Sequence, residues 1–327
     1  MHKKVSVIIP CFNAEKWLKE AIDSCLQQTY SNLEIIVIDD GSTDNSLGII
    51  KSYDDKIIWR TYSHKGGNHA RNRGFDLSQG DYIQYLDADD YILPEKIEKQ
   101  VKFLEETGAD VVYGDWRHQQ HLPDGSSFLD KIETSKTQTD ILAALLSNWW
   151  VALAALMYNR TAVKNSGGWD ENLAAAQDRD FFLSVVMNGA KVVYQPGCYA
   201  IYRRYGSVTV STASKARWLK SHHRVLKKVE QKLSQNNQLL MMYRHALAKS
   251  YFELARESLF FDYEQYSMFL EQTLVIFPEF KAHSKRIFYR LIQDILGFRQ
   301  AERIACSILL LKKFITSSFA YSLRESN

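Results

Sequence analysis

The chain has 327 residues, 46% of them hydrophobic and 24% charged, the balance of a soluble globular protein with room for one large domain and an appended part. Its net charge of +3 hides an asymmetry: residues 1–211 carry 22 Lys+Arg against 28 Asp+Glu, and residues 212–327 carry 19 against 10. This excludes a uniformly basic, nucleic-acid-binding chain; the acidic front suits a metal and a nucleotide, the basic rear an anionic surface such as lipid headgroups or a phosphate-bearing acceptor, or simply a solvated helical face.

Met1-His2-Lys3-Lys4 runs at once into an apolar strand-like stretch, Val5–Ile9, leaving no room for a signal peptide. Asn13 then stands where it would cap a helix with the apolar stripe Trp17/Leu18, Ala21/Ile22 and Cys25/Leu26. Glu34–Ile38 reads as a second strand, Thr43–Tyr53 as a helix and Ile57–Thr61 as a third strand. A Gly-rich approach leads to a helix over Arg71–Leu77, and Asp81–Leu86 reads as a fourth strand. Ile35-Ile36-Val37-Ile38 is apolar on both faces, as in a parallel sheet, and the β-α-β-α-β-α-β order implies right-handed crossovers.

Beyond these lie a helix over Pro94–Thr107, a strand over Asp110–Tyr113 and a turn at Pro123-Asp124-Gly125. Ile141–Asn159 is uncharged for 19 residues, yet Ser147-Asn148 and a Trp pair at its middle argue against a membrane span. A helix ending near Asn148 and a buried strand over Ala152–Tyr158 explain it better. Gly167-Gly168-Trp169-Asp170 breaks the chain before a helix to about Asn188. After Ser211 five helices follow: Lys215–Leu233, Leu239–Phe260, Tyr263–Ile276, Ser284–Leu296 and Ala301–Ser318. The predicted domains are 1–211 and a basic helical region, 212–327. The cysteines Cys11, Cys25, Cys198 and Cys306 have no CxxC or zinc spacing, which points to reduced thiols and a cytosolic setting.

The chemistry concentrates at two strand ends. Asp39-Asp40 follows the second strand and Asp87-Ala88-Asp89-Asp90 the fourth, at the carboxyl edge where open α/β sheets bind ligands. Carboxylates so close repel one another unless a cation or a donor-rich ligand compensates, so the spacing asks for a divalent metal and a nucleotide. Asp39 and Asp40 can accept from the imide of uracil and from ribose hydroxyls, and Gly41 lets the backbone approach. Asp44 reads as an Asx turn and Asp90 as a turn cap. Arg71 can grip a diphosphate bidentately. The spacing of His118-Gln119-Gln120-His121 is metal-like, but with no third ligand nearby it reads as a polar loop. Trp149-Trp150 suits either core packing or stacking on an acceptor sugar.

In this order the motifs resemble family 2 glycosyltransferases. The matching stretches are Val7-Ile8-Ile9-Pro10-Cys11-Phe12-Asn13, Ser24 through Gln28-Thr29, Val37–Asp44, Ala70-Arg71-Asn72-Arg73-Gly74, Gly80–Ile83 and Leu86–Asp90. They continue through Gly167–Glu171 and Gln177–Phe181 to Tyr202-Arg203. The resemblance covers about residues 4–210. It implies a Rossmann-like α/β fold of GT-A type with a mostly parallel, nucleotide-sugar-binding sheet. It also implies an inverting transfer from a nucleotide sugar, a UDP-sugar in the first place, to a hydroxyl of a glycan or lipid-linked acceptor.

The resemblance places Pro10, Asn13, Asp39 and Asp40 at the nucleoside. Arg71 and Arg203 fall at the diphosphate, Asp87 near the ribose and metal, and Asp89 on Mn²⁺ or Mg²⁺. Asp178 falls on the base, with Asp180 as the fallback. Gln177 stands where the family has Glu, and Tyr205 at or near its histidine. An aspartate near its reference pKa of about 3.9 is ionised at neutral pH and ready to take a proton.

Two other classes compete. A sugar nucleotidyltransferase lacks support because no Gly-rich phosphate loop follows the first strand. A non-catalytic nucleotide-sugar-binding or scaffold protein would account for Gln177 and Tyr205. The basic tail, with Ile304–Leu311 before Lys312-Lys313, suits peripheral contact with the cytoplasmic face of a membrane.

Overall fold

Strand β1 (Val5–Cys11) is mostly apolar and buried except at half-buried Pro10, and it forms the axis of a parallel half-sheet. It lies between β2 (Leu33–Asp39) and β4 (Tyr82–Tyr85), and β3 (Ile58–Thr61) flanks β2, all parallel. The helices α1 (Leu18–Leu26), α2 (Ser46–Lys51) and α3 (Gly67–Leu77) return the chain between them, as the sequence order requires. A Cβ on Gly74 would fall 2.3 Å from Ile8 Cγ2, so glycine is what lets α3 lie close on β1. Ala70 of the same helix packs on Ile36 and Ile38. The computed structural model describes residues 3–206, 214–309 and 311.

The second half of the sheet contains β5 (Tyr91–Ile92), α4 (Lys96–Thr107), β6 (Val111–His121), β7 (Ser127–Glu133) and α5 (Ile141–Leu146). They are followed by β8 (Leu156–Asn159), α6 (Arg160–Ser166), α7 (Gln177–Met187) and β9 (Val192–Arg204). The strand order is β3-β2-β1-β4-β8-β6-β9-β5, with β7 hairpinned onto β6. β8 runs antiparallel to β4 and β6, β6 and β9 are parallel, and β5 is antiparallel to β9.

Several sequence expectations change here. His118–His121 belong to β6, not to a loop: pairing with β7 and β9 supplies the backbone partners that the polar sequence did not advertise. Strands β7 and β9 and helix α6 carry no apolar period strong enough to have marked them. Asn13 does not cap α1: it adopts φ +49°, and its side-chain oxygen accepts from Thr43 N at 2.7 Å, while Trp17 holds the N-cap position.

The chain divides into two compact units, residues 1–221 and 222–327, the division falling within α8 (Lys215–Gln235). The second unit holds the rest of α8, α9 (Met241–Ser258), α10 (Tyr263–Ile276), α11 (Ile287–Leu296) and a helical run over 298–309. Ala246, Tyr251 and Ala255 are buried on α9, which packs against α10. Lys312-Lys313 and the remainder of the predicted last helix lie outside the described residues. Among the described residues, no helix is long and apolar enough to cross a membrane.

Candidate active site

The carboxyl ends of β1, β2, β3 and β4 meet at one edge, because parallel register brings Cys11 beside Asp39 and Asp39 beside Thr61. Loops after β1 and β2 are zipped together there. Asn13 N donates to Ser42 Oγ at 3.0 Å, Ala14 N to Ser46 Oγ at 2.8 Å and Glu15 N to Asp44 Oδ2 at 3.0 Å. Asp44 also accepts from Ser46 N, the expected Asx turn. Pro10 is half-buried near the end of β1, opposite Ile38.

Asp39 and Asp40 are both buried. Asp39 accepts from Ser42 N at 3.1 Å and Thr61 Oγ1 at 2.7 Å. Asp40 accepts from Lys65 N at 2.9 Å and Gly66 N at 2.7 Å and lies 2.8 Å from His64 Nδ1. Its carboxylate thus organises the 62–66 loop. His64 in turn stacks on the exposed ring of Phe12, centroids 4.0 Å apart, at the rim of the same edge.

The turn after β4 gathers three carboxylates. One oxygen from each of Asp87, Asp89 and Asp90 lies within 4.8 Å of the others. Burial, then Asp87, raises Asp89 above the usual carboxylate range; burial, then Asp89 and Asp87, pushes Asp90 well above it. A cluster so short of positive charge fits a hard divalent cation, which prefers carboxylate oxygen. Asp90 reaches beyond its own turn: its Oδ1 accepts Arg203 N at 2.8 Å and pins β9 to the acidic loop.

Arg203 is enclosed by protein. Its guanidinium donates to the Asp89 carbonyl and to Glu20 Oε2, each at 2.6 Å, and lies over the rings of Trp17 and Tyr91. In this geometry it braces the Asp89 loop, whereas the resemblance put it at the diphosphate. Tyr205, which the resemblance sets at or near the family's histidine, donates from its hydroxyl to Asp89 Oδ2 at 2.9 Å.

Arg71 links the acidic loop to α7. Its Nη2 donates to Asp87 Oδ1 at 2.6 Å and its Nη1 to Gln177 Oε1 at 3.2 Å, with the guanidinium 4.5 Å from the Trp169 ring centre. Gln177, a neutral amide where the family has Glu, therefore leaves Asp87 as the one carboxylate that Arg71 bonds among the described residues. Asp178 follows on the first turn of α7 with one side open to solvent. The protein mass around it pushes its carboxyl up to about 6, against the pull of Arg71 and with the repulsion of Asp87. The expectation of a reference pKa is thus corrected upward, because desolvation outweighs the arginine. The fallback, Asp180, is buried two residues further along the helix.

The sequence reading brought together Asp39, Asp40, Arg71, Asp87, Asp89 and Asp178. It did not foresee Glu20, Trp17, Phe12, His64 or Tyr202 as neighbours of the site. Of these, Phe12 and Tyr202 lie inside quoted motifs and Trp17 in the apolar stripe of the first helix, while Glu20 and His64 carried no local signal.

Comparison with known proteins follows the same lines. Residues 6–167 match the glycosyl transferase family 2 profile, a span that stops short of Asp178 and Arg203. An uncharacterized glycosyltransferase of Haemophilus influenzae is 37% identical over 164 residues, 49% of this chain and 64% of the relative. Glycosyltransferase GlyG of Streptococcus pneumoniae is 38% identical over 120 residues, 36% of this chain and 40% of GlyG. The chain thus spans less than two thirds of the length of these relatives.

Among solved structures, S. aureus TarS 1–349 with UDP-GlcNAc superposes with a TM-score of 0.59 at 18% identity, covering 82% of this chain and 91% of TarS 1–349. A mannosyltransferase of Pyrobaculum calidifontis, with GDP-Man and Mn²⁺, gives 0.51 at 16% identity, covering 94% of this chain and 87% of its own. At these identities the likeness speaks for the fold, the GT-A architecture. Residues 6–167, which build this sheet edge, are the part of the chain that matches glycosyl transferase family 2 in sequence, and the fold around them is of GT-A type.

Proposed function

We propose that the protein is an inverting glycosyltransferase that moves a sugar from a nucleotide donor, a UDP-sugar in the first place, to a hydroxyl of a glycan or lipid-linked acceptor. The observation that carries this reading is the junction at the sheet edge: Arg71 bonded to Asp87 of the acidic loop and to Gln177, beside Asp178 on α7.

Ionised Asp178 takes the proton of the acceptor hydroxyl as that oxygen bonds to the anomeric carbon. The bond from the same carbon to the diphosphate oxygen breaks on the opposite face, so configuration inverts. Arg71 faces the diphosphate with a charge that Gln177 does not neutralise. Asp39 and Asp40 hold the nucleoside beside Pro10 and Asn13. Arg203 and Tyr205 keep the Asp89 loop in position. A divalent cation, Mn²⁺ or Mg²⁺, on Asp89 with Asp87 would neutralise charge building on the leaving diphosphate.

Membrane contact belongs to the same proposal and rests on α11. Phe288 and Ile295 are 80% and 76% exposed on one apolar face, with Ile287 and Leu291, and exposed Lys285, Arg286 and Arg290 border it. An apolar face rimmed by cations complements an anionic bilayer surface, such as the cytoplasmic leaflet.

The test is nucleoside diphosphate release from a panel of UDP-, GDP- and dTDP-sugars with candidate acceptors, in Mn²⁺ or in EDTA. The expected result is metal-dependent release from one donor, lost in Asp89→Ala and Asp178→Asn. Donor binding without release, after lipid and glycan acceptors have been supplied, would favour a binding protein. Neither binding nor release overturns the reading.

A further inference from the structure

Outside the carboxylate site, the first unit holds a half-open cavity of about 240 Å³ between the base of the β6/β7 hairpin and the segment after α5. Its walls include Trp116, Trp149 and Trp150, and its polar lining includes Glu133, Ser135 and Asn148. The three indoles differ in what holds them. Trp116 is buried on β6. Trp149 is fixed by Nε1–H donating to the Ser135 carbonyl at 3.3 Å and by an edge contact with Tyr113 at 5.2 Å. Trp150 leans on Trp116, centroids 4.5 Å apart at 49°, and remains 49% exposed. A half-exposed tryptophan backed by a buried one is a poor use of apolar surface for the core alone. Asn148, at φ +65°, makes the turn that brings both Trp149 and Trp150 to the cavity.

The cavity is joined to the carboxylate site. Tyr202 of β9 packs edge-on against Trp116 at 6.1 Å and Trp150 at 6.2 Å. Its phenol is raised first by burial and then by Asp90, Asp87, Asp89 and Asp178, so the same ring lies in the field of all four site carboxylates. The next residue of β9, Arg203, donates its N–H to Asp90 Oδ1 at 2.8 Å, so one strand links the edge of the cavity to the acidic loop.

We infer that this cavity is the subsite for the sugar of the acceptor, with Trp150 as its stacking platform, and that it takes a neutral or N-acetylated pyranose in preference to an anionic one. The inference rests on the proposed transferase reading and names the acceptor's chemical class. The C–H face of a pyranose carries slight positive charge and matches the negative face of an indole. Three indoles face four polar residues, Glu133, Thr134, Ser135 and Asn148, a lining that suits a sugar's apolar face and its hydroxyls together, and the volume lies just below the common range of roughly 300–1,000 Å³, room for one ring. None of the residues lining it is cationic and Glu133 is anionic, so a uronate would meet repulsion while sugar hydroxyls find acceptors.

The experiment uses the full chain and three probes: the methyl glycosides of glucose, N-acetylglucosamine and glucuronic acid. Saturation-transfer NMR reads binding, and the responsive donor's nucleoside diphosphate release without acceptor reads the donor site. The wild-type protein should bind the two neutral glycosides and at least tenfold more weakly the glucuronide. Trp150→Ala should lose that binding, Trp150→Phe should regain most of it, and Glu133→Gln should narrow the discrimination against glucuronide. In Trp150→Ala the acceptor KM should rise tenfold or more while acceptor-free release stays within twofold, which also shows that the variant is folded.

Neutral glycosides that bind Trp150→Ala as well as wild type, or a glucuronide that binds equally, would overturn the inference. These readouts do not need turnover, so an absence of donor release would count against the transferase reading alone.

Discussion

Replacing Asp178 by asparagine keeps the side chain's size and removes its capacity to accept a proton. A positioned general base contributes about 10²–10⁴-fold, so kcat should fall by that factor with little change in donor affinity. The wild-type pH profile gives a sharper test. Asp178 sits at about 6, pushed up by the surrounding protein, held back by Arg71 and raised further by Asp87. The raised pKa favours the protonated, inactive form at low pH, so activity must grow as pH rises through that value. About a tenth of the population is ionised at pH 5 and about nine tenths at pH 7, a roughly tenfold rise in kcat/KM that then levels off. Arg71→Met removes the group that lowers the Asp178 pKa and should move the limb to higher pH. The assay is kcat/KM for the acceptor, from nucleoside diphosphate release at limiting acceptor and donor, from pH 4.5 to 8. A plateau already reached at pH 5, or an Asp178→Asn variant that keeps more than a tenth of the activity, would refute the assignment.

Three further outcomes are expected. Gly74→Ala sets a methyl 2.3 Å from Ile8 Cγ2, so α3 must retreat from β1, and urea unfolding should show a loss of about 1–3 kcal/mol. Tyr205→Phe deletes the hydroxyl that orients Asp89; activation by Mn²⁺ should need about tenfold more metal, read from a titration at fixed donor, and an unchanged midpoint would remove Tyr205 from the site. Phe288→Asp with Ile295→Asp should abolish co-sedimentation with vesicles rich in phosphatidylserine while leaving turnover of a soluble acceptor intact, and undiminished sedimentation would exclude α11 as the contact.

The strands that frame the candidate site were legible because their chemistry is local. Ile35–Ile38 is apolar on both faces, so it had to be a buried parallel strand, and Asp39-Asp40 had to stand at its carboxyl end. The same holds for Asp87–Asp90 after β4. Strand β9 was missed because half-buried, mixed residues such as Tyr194, Gln195 and Tyr202 show no clear alternation; its identity as a strand comes from pairing with β6 across some eighty residues of chain. His118–His121 failed for the same reason. Long-range pairing supplies hydrogen-bond partners that no local pattern announces.

Composition, apolar period and the order of acidic motifs sufficed to determine a mostly parallel α/β sheet, the edge that carries its candidate site and the residue types placed there. Tertiary structure alone decided what those residues do to one another. It took Arg203 away from solvent and set it on Glu20 and the Asp89 carbonyl, put Tyr205 on Asp89, and gathered Trp116, Trp149 and Trp150 around one cavity. It also raised Asp178 to about 6. The reason is physical: a side chain's identity fixes the hydrogen bonds and charge it can offer, but desolvation and partner choice are set by atoms distant in sequence, which only the folded chain brings within reach.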